Sequence, residues 1–343
     1  MDKRVIFAVA GSGKTTYIIE ELNEYTNSLL ITFTVNNYNN LKIKIIDKFG
    51  YLPQNIRLYT YFTFLYSFCY KPFLLLKYRT KGISYKINEN RYAQGTTRYI
   101  DKYQRLYSNR IAKFLEYNNI INEIIQRIEK YFDNVFIDEV QDFAGHDFNF
   151  LMNLAKANIE MLFVGDFYQH TYDTSRDGKV NFTLHDDYQV YKSRFENIGL
   201  VVDTTSLIRS YRCSPSVCDF ITNNLGIEIH SNIDKDTNVS LLIEQDEIND
   251  VINSNEVVKL FYNKHYTYNL YSSNWGESKG IDNYEDVCVV LNNNSTISYQ
   301  NGTLSSLKPI SKNKLYVACS RARGNLYFLF EKTLREYINY RCT

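Results

Sequence analysis

Three groups of residues in this chain could act together on a phosphoanhydride. The first is Ala8-Val9-Ala10-Gly11-Ser12-Gly13-Lys14-Thr15, followed by Thr16. Small residues let backbone N–H groups converge on an anion, and the helix that follows adds its positive end. Lys14 would reach the β- and γ-phosphates and the Thr15 hydroxyl would bind Mg²⁺, with Ala10, Gly11, Ser12, Gly13 and Thr16 completing the cradle. Ala8 stands where the usual G-x-x-x-x-G-K-T pattern has glycine. The second group is Asp138-Glu139, extended by Val140-Gln141-Asp142. After a phosphate loop, the first acid holds the metal shell and the second orients or deprotonates the attacking water. The third is Gly165-Asp166-Phe167-Tyr168-Gln169, whose glutamine cannot act as a base but can hold water beside the γ-phosphate. Two arginine segments lie further on, Ser210-Tyr211-Arg212-Cys213-Ser214 and Tyr316-Val317-Ala318-Cys319-Ser320-Arg321-Ala322-Arg323. An arginine brought to the transferred phosphoryl is worth ~10³–10⁵ in rate.

These groups need strands to aim them. Apolar runs at 5–9, 29–33, 135–137 and 161–164 alternate with helical patterns, the signature of a parallel sheet covered by helices. Strand ends in such a sheet point to one ligand crevice. Further runs at 241–243, 257–261, 287–291 and 326–330 predict a second, smaller α/β domain beginning near Thr205. Between them, about 71–130 reads as a long, polar, Tyr-rich helical insertion into the first domain, and 292–295 reads as a surface turn.

The chain has 39 Lys and Arg against 38 Asp and Glu, a net charge of +1, yet the insertion alone holds thirteen against five. A locally basic segment in a neutral protein suggests a defined polyanion groove; a solvated charged helix is the plainer reading. In the insertion Tyr85, Tyr92, Tyr99, Tyr103 and Tyr107 alternate with Lys86, Arg91, Arg98, Lys102, Arg105 and Arg110. Cations that track phosphates beside aromatics that stack bases suit a single strand, with a partner-protein surface as the rival. The six cysteines form no C-x-x-C pair and read as buried thiols. The N-terminus runs directly into the phosphate loop and no apolar run approaches membrane length, so a soluble, cytoplasmic protein without a membrane partner is expected. No nuclease constellation is evident.

In order, the motifs resemble those of superfamily 1A helicases of the UvrD/Rep/PcrA type. The series runs from the phosphate loop through Ile31-Thr32-Phe33-Thr34, Asp138-Glu139-Val140-Gln141-Asp142 and Gly165-Asp166-x-x-Gln169. It continues with Tyr211-Arg212, Ser278-Lys279-Gly280-Ile281-Asp282 and Tyr316-Val317-Ala318-x-x-Arg321-Ala322. That family also tolerates alanine at the position of Ala8. The resemblance implies an α/β fold of two RecA-like P-loop domains with parallel sheets, 1–204 and 205–343, and a small helical insertion in the first. ATP and Mg²⁺ would occupy the cleft between the domains, and single-stranded DNA would cross their top. Lys14 and Thr15 would bind phosphate and Mg²⁺, Asp138 would be the metal-shell acid and Glu139 the base. Gln169 would couple the γ-phosphate to nucleic acid, Tyr211 would stack on the adenine, and Arg212 and Arg321 would be arginine fingers. Asp282, after Gly280, falls where the family has a Glu near the ribose. Thr32, Phe33, Thr34, Thr60, Phe62 and Tyr172 match positions on the single-strand track, although Phe62 and Phe64 could equally be core.

The departures shape the expectation. No upstream adenine-reading Gln precedes the first strand, so other purine triphosphates remain open. Only about sixty-five residues separate Arg212 from Lys279, so the accessory domain of larger relatives is missing or vestigial. Gly276 stands where the family commonly has His, and the Tyr-x-x-Arg expected from Tyr172 is displaced, with Ser175 at its last place and Arg176 one position late. The expected activity is an ATP-dependent DNA translocase, 3′ to 5′, in DNA repair or phage defence. Two alternatives stay open. One is a nucleotide-gated DNA-binding ATPase subunit of a nuclease complex, as in Gabija systems with their OLD-type nuclease. The other is a phosphate-loop enzyme acting on small molecules or protein.

Overall fold

The structure, a computed structural model, describes residues 2–90, 92–171 and 178–342, with side chains through Ile338. Arg91, Tyr172, Ser175 and Arg176 lie outside the described residues. The chain forms two compact units: Met1–Phe7, Lys14–Gly165 and Tyr172–Asp203 make the first, and Ala8–Gly13, Asp166–Thr171 and Thr204–Thr343 the second.

The first unit is built on strands β1 (Lys3–Phe7), β2 (Ser28–Thr32), β3 (Ile56–Thr60), β6 (Asn134–Asp138), β7 (Glu160–Gly165) and β8 (Val201–Asp203). They form one parallel sheet in the order β3-β2-β6-β7-β1-β8. Every residue of β2 and β6 is buried, as expected for strands covered on both faces. Helix Lys14–Glu21 buries Ile18 and Ile19. Helix Val35–Phe49 is capped by the Thr34 hydroxyl and ends at Gly50, whose φ of 79° lets its N–H reach the Ile46 carbonyl. β1 stops at Phe7, two residues short of the apolar run, because Val9 turns its N–H to the Leu207 carbonyl.

The insertion is helical only at its ends, in Lys71–Tyr78, Ile111–Tyr117 and Ile121–Tyr131. Between them a parallel two-stranded ribbon pairs β4 (Gly82–Ser84) with β5 (Arg105–Tyr107), and 3₁₀ turns fill the rest. The helical expectation fails here because Arg79 turns left-handed (φ 51°) and short Asn and Asp side chains bond the backbone nearby.

The second unit has a parallel sheet in the order β11-β15-β14-β12-β13 and a two-stranded pair, β9 with β10. The strands are β9 (Arg209–Ser210), β10 (His230–Ser231), β11 (Val239–Leu241), β12 (Val258–Phe261), β13 (Ser272–Asn274), β14 (Val287–Leu291) and β15 (Leu326–Phe330). One face of this sheet packs Val258, Leu260, Val289 and Phe328 with Trp275, Tyr316, Val9 and Ala10. The other packs Phe261, Cys288, Val290, Leu329 and Leu334. Two sequence expectations shift. Residues 292–295 open helix Asn293–Gln300, because the Asn292 side chain caps its N-terminus, and β11 precedes the run at 241–243, leaving Ile243 exposed. Five cysteines, Cys69, Cys213, Cys218, Cys288 and Cys319, are buried free thiols. No helix among the described residues is long and apolar enough to cross a membrane.

Candidate nucleotide site and nucleic-acid surface

In the first unit the acids follow directly from β6. Asp138 is its last residue and is buried, and Glu139 turns left-handed (φ 58°) into a 3₁₀ turn over Val140–Asp142. The turn is tight because the Glu139 N–H bonds the Asp138 carboxylate at 3.0 Å, while the Gln141 side-chain amide donates to the Glu139 carboxylate. Burial first, then the neighbouring Glu139 carboxylate, pushes the Asp138 carboxyl up to about 7, and Lys14 opposes the shift. Two crowded carboxyl groups with one ammonium nearby fit a divalent cation, whose charge would offset both costs. Lys14 and Thr15 are half-buried at the start of their helix, and Thr16 is exposed with its hydroxyl accepting from Lys44 at 3.1 Å.

Gly165, at the end of β7, receives this turn. A Cβ at Gly165 would lie 2.8 Å from Val140 Cγ1 and 2.9 Å from the Val140 nitrogen, so only glycine admits the acid-bearing turn. This packing gives Gly165 and Gln141 roles that the motif alone did not specify.

In the second unit the front of the phosphate loop meets the Tyr-Arg segment. Gly11, at φ 71°, accepts the Tyr211 N–H at 2.8 Å, and a Cβ on Gly11 would stand 2.7 Å from Arg212 Cβ and 2.8 Å from Ser210 Oγ. Ser12 is buried with its hydroxyl on the Val9 carbonyl at 2.8 Å, while Gly13 is left-handed with open space around it. Ala10 is fully buried, and its N–H donates to the Tyr316 hydroxyl at 2.8 Å. The Tyr211 ring is exposed and available for stacking.

Arg212 and Arg321 converge on Asp282. Asp282 pairs with Arg212 and lies 3.4 Å from Arg321 Nη1, and the Arg212 Nη1 also donates to the Ser320 carbonyl at 3.2 Å. Arg321 is buried and donates to the carbonyls of Val317 (3.3 Å) and Ile281 (3.1 Å). Burial, then the nearby Arg212, lowers the Arg321 guanidinium to about 10, so it stays charged at neutral pH. The carboxylate expected near a ribose thus lies between both arginines and offsets only part of their charge. Gly280, two residues earlier, is exposed at φ 81° with nothing within 4 Å of a Cβ.

Gln169 is buried, and its amide nitrogen donates to Asp166 at 2.9 Å. That bond fixes the nitrogen inward and leaves Oε1 as the accepting end.

The track residues divide. Phe33, half-buried after β2, meets Tyr61 (5.8 Å) and Phe62 (5.5 Å), and Phe62 meets the exposed Tyr85 of the insertion at 5.7 Å. Phe33, Phe62 and Tyr85 make an aromatic ledge on the first unit, with the buried Tyr61 beneath it. Phe64 is fully buried and stacks on Phe68 at 5.4 Å, which settles it as core. Thr32 is fully buried, so its hydroxyl is not offered at the surface; Thr34 is exposed but spends its hydroxyl on the helix cap, and Thr60 bonds Thr63 at 2.8 Å. Within the insertion Tyr99 stacks inside on Phe114 (4.7 Å) and Arg110 holds the Arg98 carbonyl (2.7 Å), so those two are structural. Tyr103 is exposed, with Lys102 and Arg105 over its ring at 5.1 and 5.0 Å.

A parallel sheet leading into a glycine-rich loop, an acid pair after one strand and arginines on a second parallel-sheet unit make an α/β fold of two RecA-like units. The sequence model of the viral superfamily 1 RNA helicase core domain matches residues 111–330, and the chain belongs to that family. Among solved structures, the arterivirus nonstructural protein 10 helicase in complex with DNA is 14% identical, with a TM-score of 0.50 over 95% of this chain and 60% of that one. The PRRSV helicase is 14% identical over 96% of this chain and 52% of that one, at a TM-score of 0.48. The chain thus spans little more than half the length of these structures, and the likeness to them is one of fold. No curated protein sequence matches significantly.

Proposed function

We propose that this chain, in two domains at 1–204 and 205–343, is an ATP-driven translocase on single-stranded nucleic acid. The phosphate loop carries the triphosphate, Thr15 and Asp138 hold Mg²⁺, Glu139 activates water, and Arg212 and Arg321 bring positive charge to the transferred phosphoryl. Mg²⁺, when bound, supplies charge neutralisation at the phosphate oxygens. The observation that carries the reading is the packing of Gly11 on Arg212, because it ties an arginine to the loop that holds phosphate. The exposed Tyr211 beside Gly11 supports stacking on the base.

For the polymer, the ledge of Phe33, Phe62 and Tyr85 supports stacking without base identity, which suits a motor that steps along any sequence. Single-stranded DNA with 3′-to-5′ movement is the reading that the UvrD-like Ser278-to-Asp282 segment favours; RNA is the reading that the family's description favours. The test is steady-state ATP hydrolysis alone, with poly(dT) and with poly(rU), beside Glu139→Gln. Stimulation by either polymer, lost in the variant, supports the motor and names its track. Turnover indifferent to both overturns it.

The short span between Arg212 and Lys279 favours a second reading, an ATPase that serves a partner such as an OLD-type nuclease in repair or phage defence. Stimulated turnover with no strand separation, together with co-purification of a nuclease, would select it.

A further inference from the structure

Three segments far apart in sequence meet at one buried hydroxyl. The Tyr316 oxygen accepts from the Ala10 N–H at 2.8 Å and donates to Asp166 Oδ2 at 2.9 Å. The same Oδ2 accepts the Gln169 amide at 2.9 Å, and the other Asp166 oxygen accepts the Tyr168 N–H at 3.1 Å. Ala10 and Tyr316 are fully buried, and Asp166 and Gln169 nearly so. Burial and the Asp166 carboxylate hold the phenol well above its usual range, so it keeps the proton that it donates. The helix Pro309–Cys319 reinforces the contact from the same face: Asn313 donates to the His170 carbonyl at 3.0 Å, Lys312 lies over the Tyr168 ring at 5.7 Å, and the Tyr316 ring meets Tyr168 edge-on at 6.0 Å. Arg321 follows just after this helix and bonds back to its Val317 carbonyl.

We propose that Tyr316 is a positioning residue whose hydroxyl locks the Gln169 turn to the phosphate loop, so that the loop and the glutamine move as one. A chain of hydrogen bonds in a water-poor interior transmits displacement, because moving one member costs the bonds that it makes to the next. Shifting Ala10 withdraws the N–H from Tyr316, which shifts the Asp166 oxygen that orients Gln169. The hydroxyl touches no reacting atom; it acts through Gln169. This rests on the reading of the chain as a polymer-stimulated ATPase.

Tyr316→Phe tests it, since the ring and its packing remain and only the hydroxyl leaves. The expected result is a kcat for polymer-stimulated ATP hydrolysis lowered about tenfold, with the KM for ATP within twofold and the melting temperature lowered by only a few degrees. An unchanged kcat overturns the proposal; so does a fall in kcat accompanied by a similar-fold rise in KM and a collapse of the melting temperature, which would make the hydroxyl a structural staple only. Hydrogen–deuterium exchange of the nucleotide-free protein keeps the inference separate from the functional reading. In Tyr316→Phe, peptides containing Ala10 and Gln169 should both exchange faster than in the wild type. Acceleration of one without the other overturns the coupling even if ATP is never hydrolysed. If the wild type shows no polymer stimulation while both peptides accelerate, the functional reading falls and the lock stands.

Discussion

Gly11 lies so close to Arg212 that a Cβ on the glycine would approach the arginine's own Cβ to 2.7 Å. The left-handed φ of 71° at Gly11 and this contact forbid any side chain for two separate reasons. Gly11→Ala should therefore weaken nucleotide binding at least tenfold, measured by titration with a fluorescent ATP analogue. Arg212→Ala keeps the Cβ that packs on Gly11 and removes only the guanidinium. It should leave binding within a few-fold and lower kcat by a large part of the ~10³–10⁵ that an arginine finger supplies. Equal losses of binding in the two variants would contradict the assignment.

Asp138, proposed above to hold the metal, sets that role against stability. Its carboxyl, pushed up to about 7 by burial and by Glu139, is costly to ionise in the free protein. Asp138→Asn removes that cost and should stabilise the nucleotide-free protein by about 1–3 kcal/mol. Hydrolysis should disappear in the same variant, since the proposed metal ligand loses its charge. Calorimetry and steady-state turnover check both halves, and a lower melting temperature would show that the carboxylate is instead well compensated.

Gly165→Ala drives a methyl group into Val140 and the Gln141 side chain. The backbone of the acid-bearing turn must then move, carrying Glu139 with it. Turnover should fall at least tenfold with nucleotide binding nearly kept, because Lys14 and the loop are untouched. Wild-type kcat would mean that the turn adapts without cost.

The aromatic ledge yields a binding prediction. Tyr85 is 69% exposed and touches Phe62, so Tyr85→Ala removes a stacking face without opening the core. Affinity for poly(dT) or poly(rU), measured by fluorescence anisotropy, should fall by about 1–3 kcal/mol if one base stacks there. Phe64→Ala should instead lower stability by about 3–5 kcal/mol, since Phe64 is fully buried. Affinity unaffected by Tyr85→Ala would move the track elsewhere.

The only tryptophan gives the second unit a reporter. Trp275 is fully buried and donates its indole N–H to the Leu260 carbonyl at 2.9 Å. Its emission should be blue-shifted in the folded protein and move to the red when this unit unfolds in urea. Red emission from the native protein would contradict the packing.

Much of this was legible in the sequence, and the parts that were not share a cause. The runs at 287–291 and 326–330 are strands β14 and β15 because apolar periodicity is a local property of a covered strand. The order of the motifs carried the superfamily, since each motif is a short segment whose chemistry depends on its own spacing. Local pattern did not decide the middle of the insertion, where Asn and Asp side chains compete for backbone groups that a helix would use. Nor could it separate Phe62 from Phe64, which differ in what lies opposite them rather than in type.

By itself, then, the sequence determined the apolar strands of both sheets, such as β2, β6, β14 and β15, the loop and acid-pair motifs and the superfamily, but not β3, β8, β13 or the ribbon strands. Tertiary structure alone decided that Asp282 lies between both arginines, that Gly165 receives the acid turn, and that Thr32 is buried. It also decided that Tyr316, 306 positions from Ala10, holds that residue's N–H. Contacts at such separation are set by how sheets and helices pack, and a bond between two residues leaves no trace in the spacing of either segment.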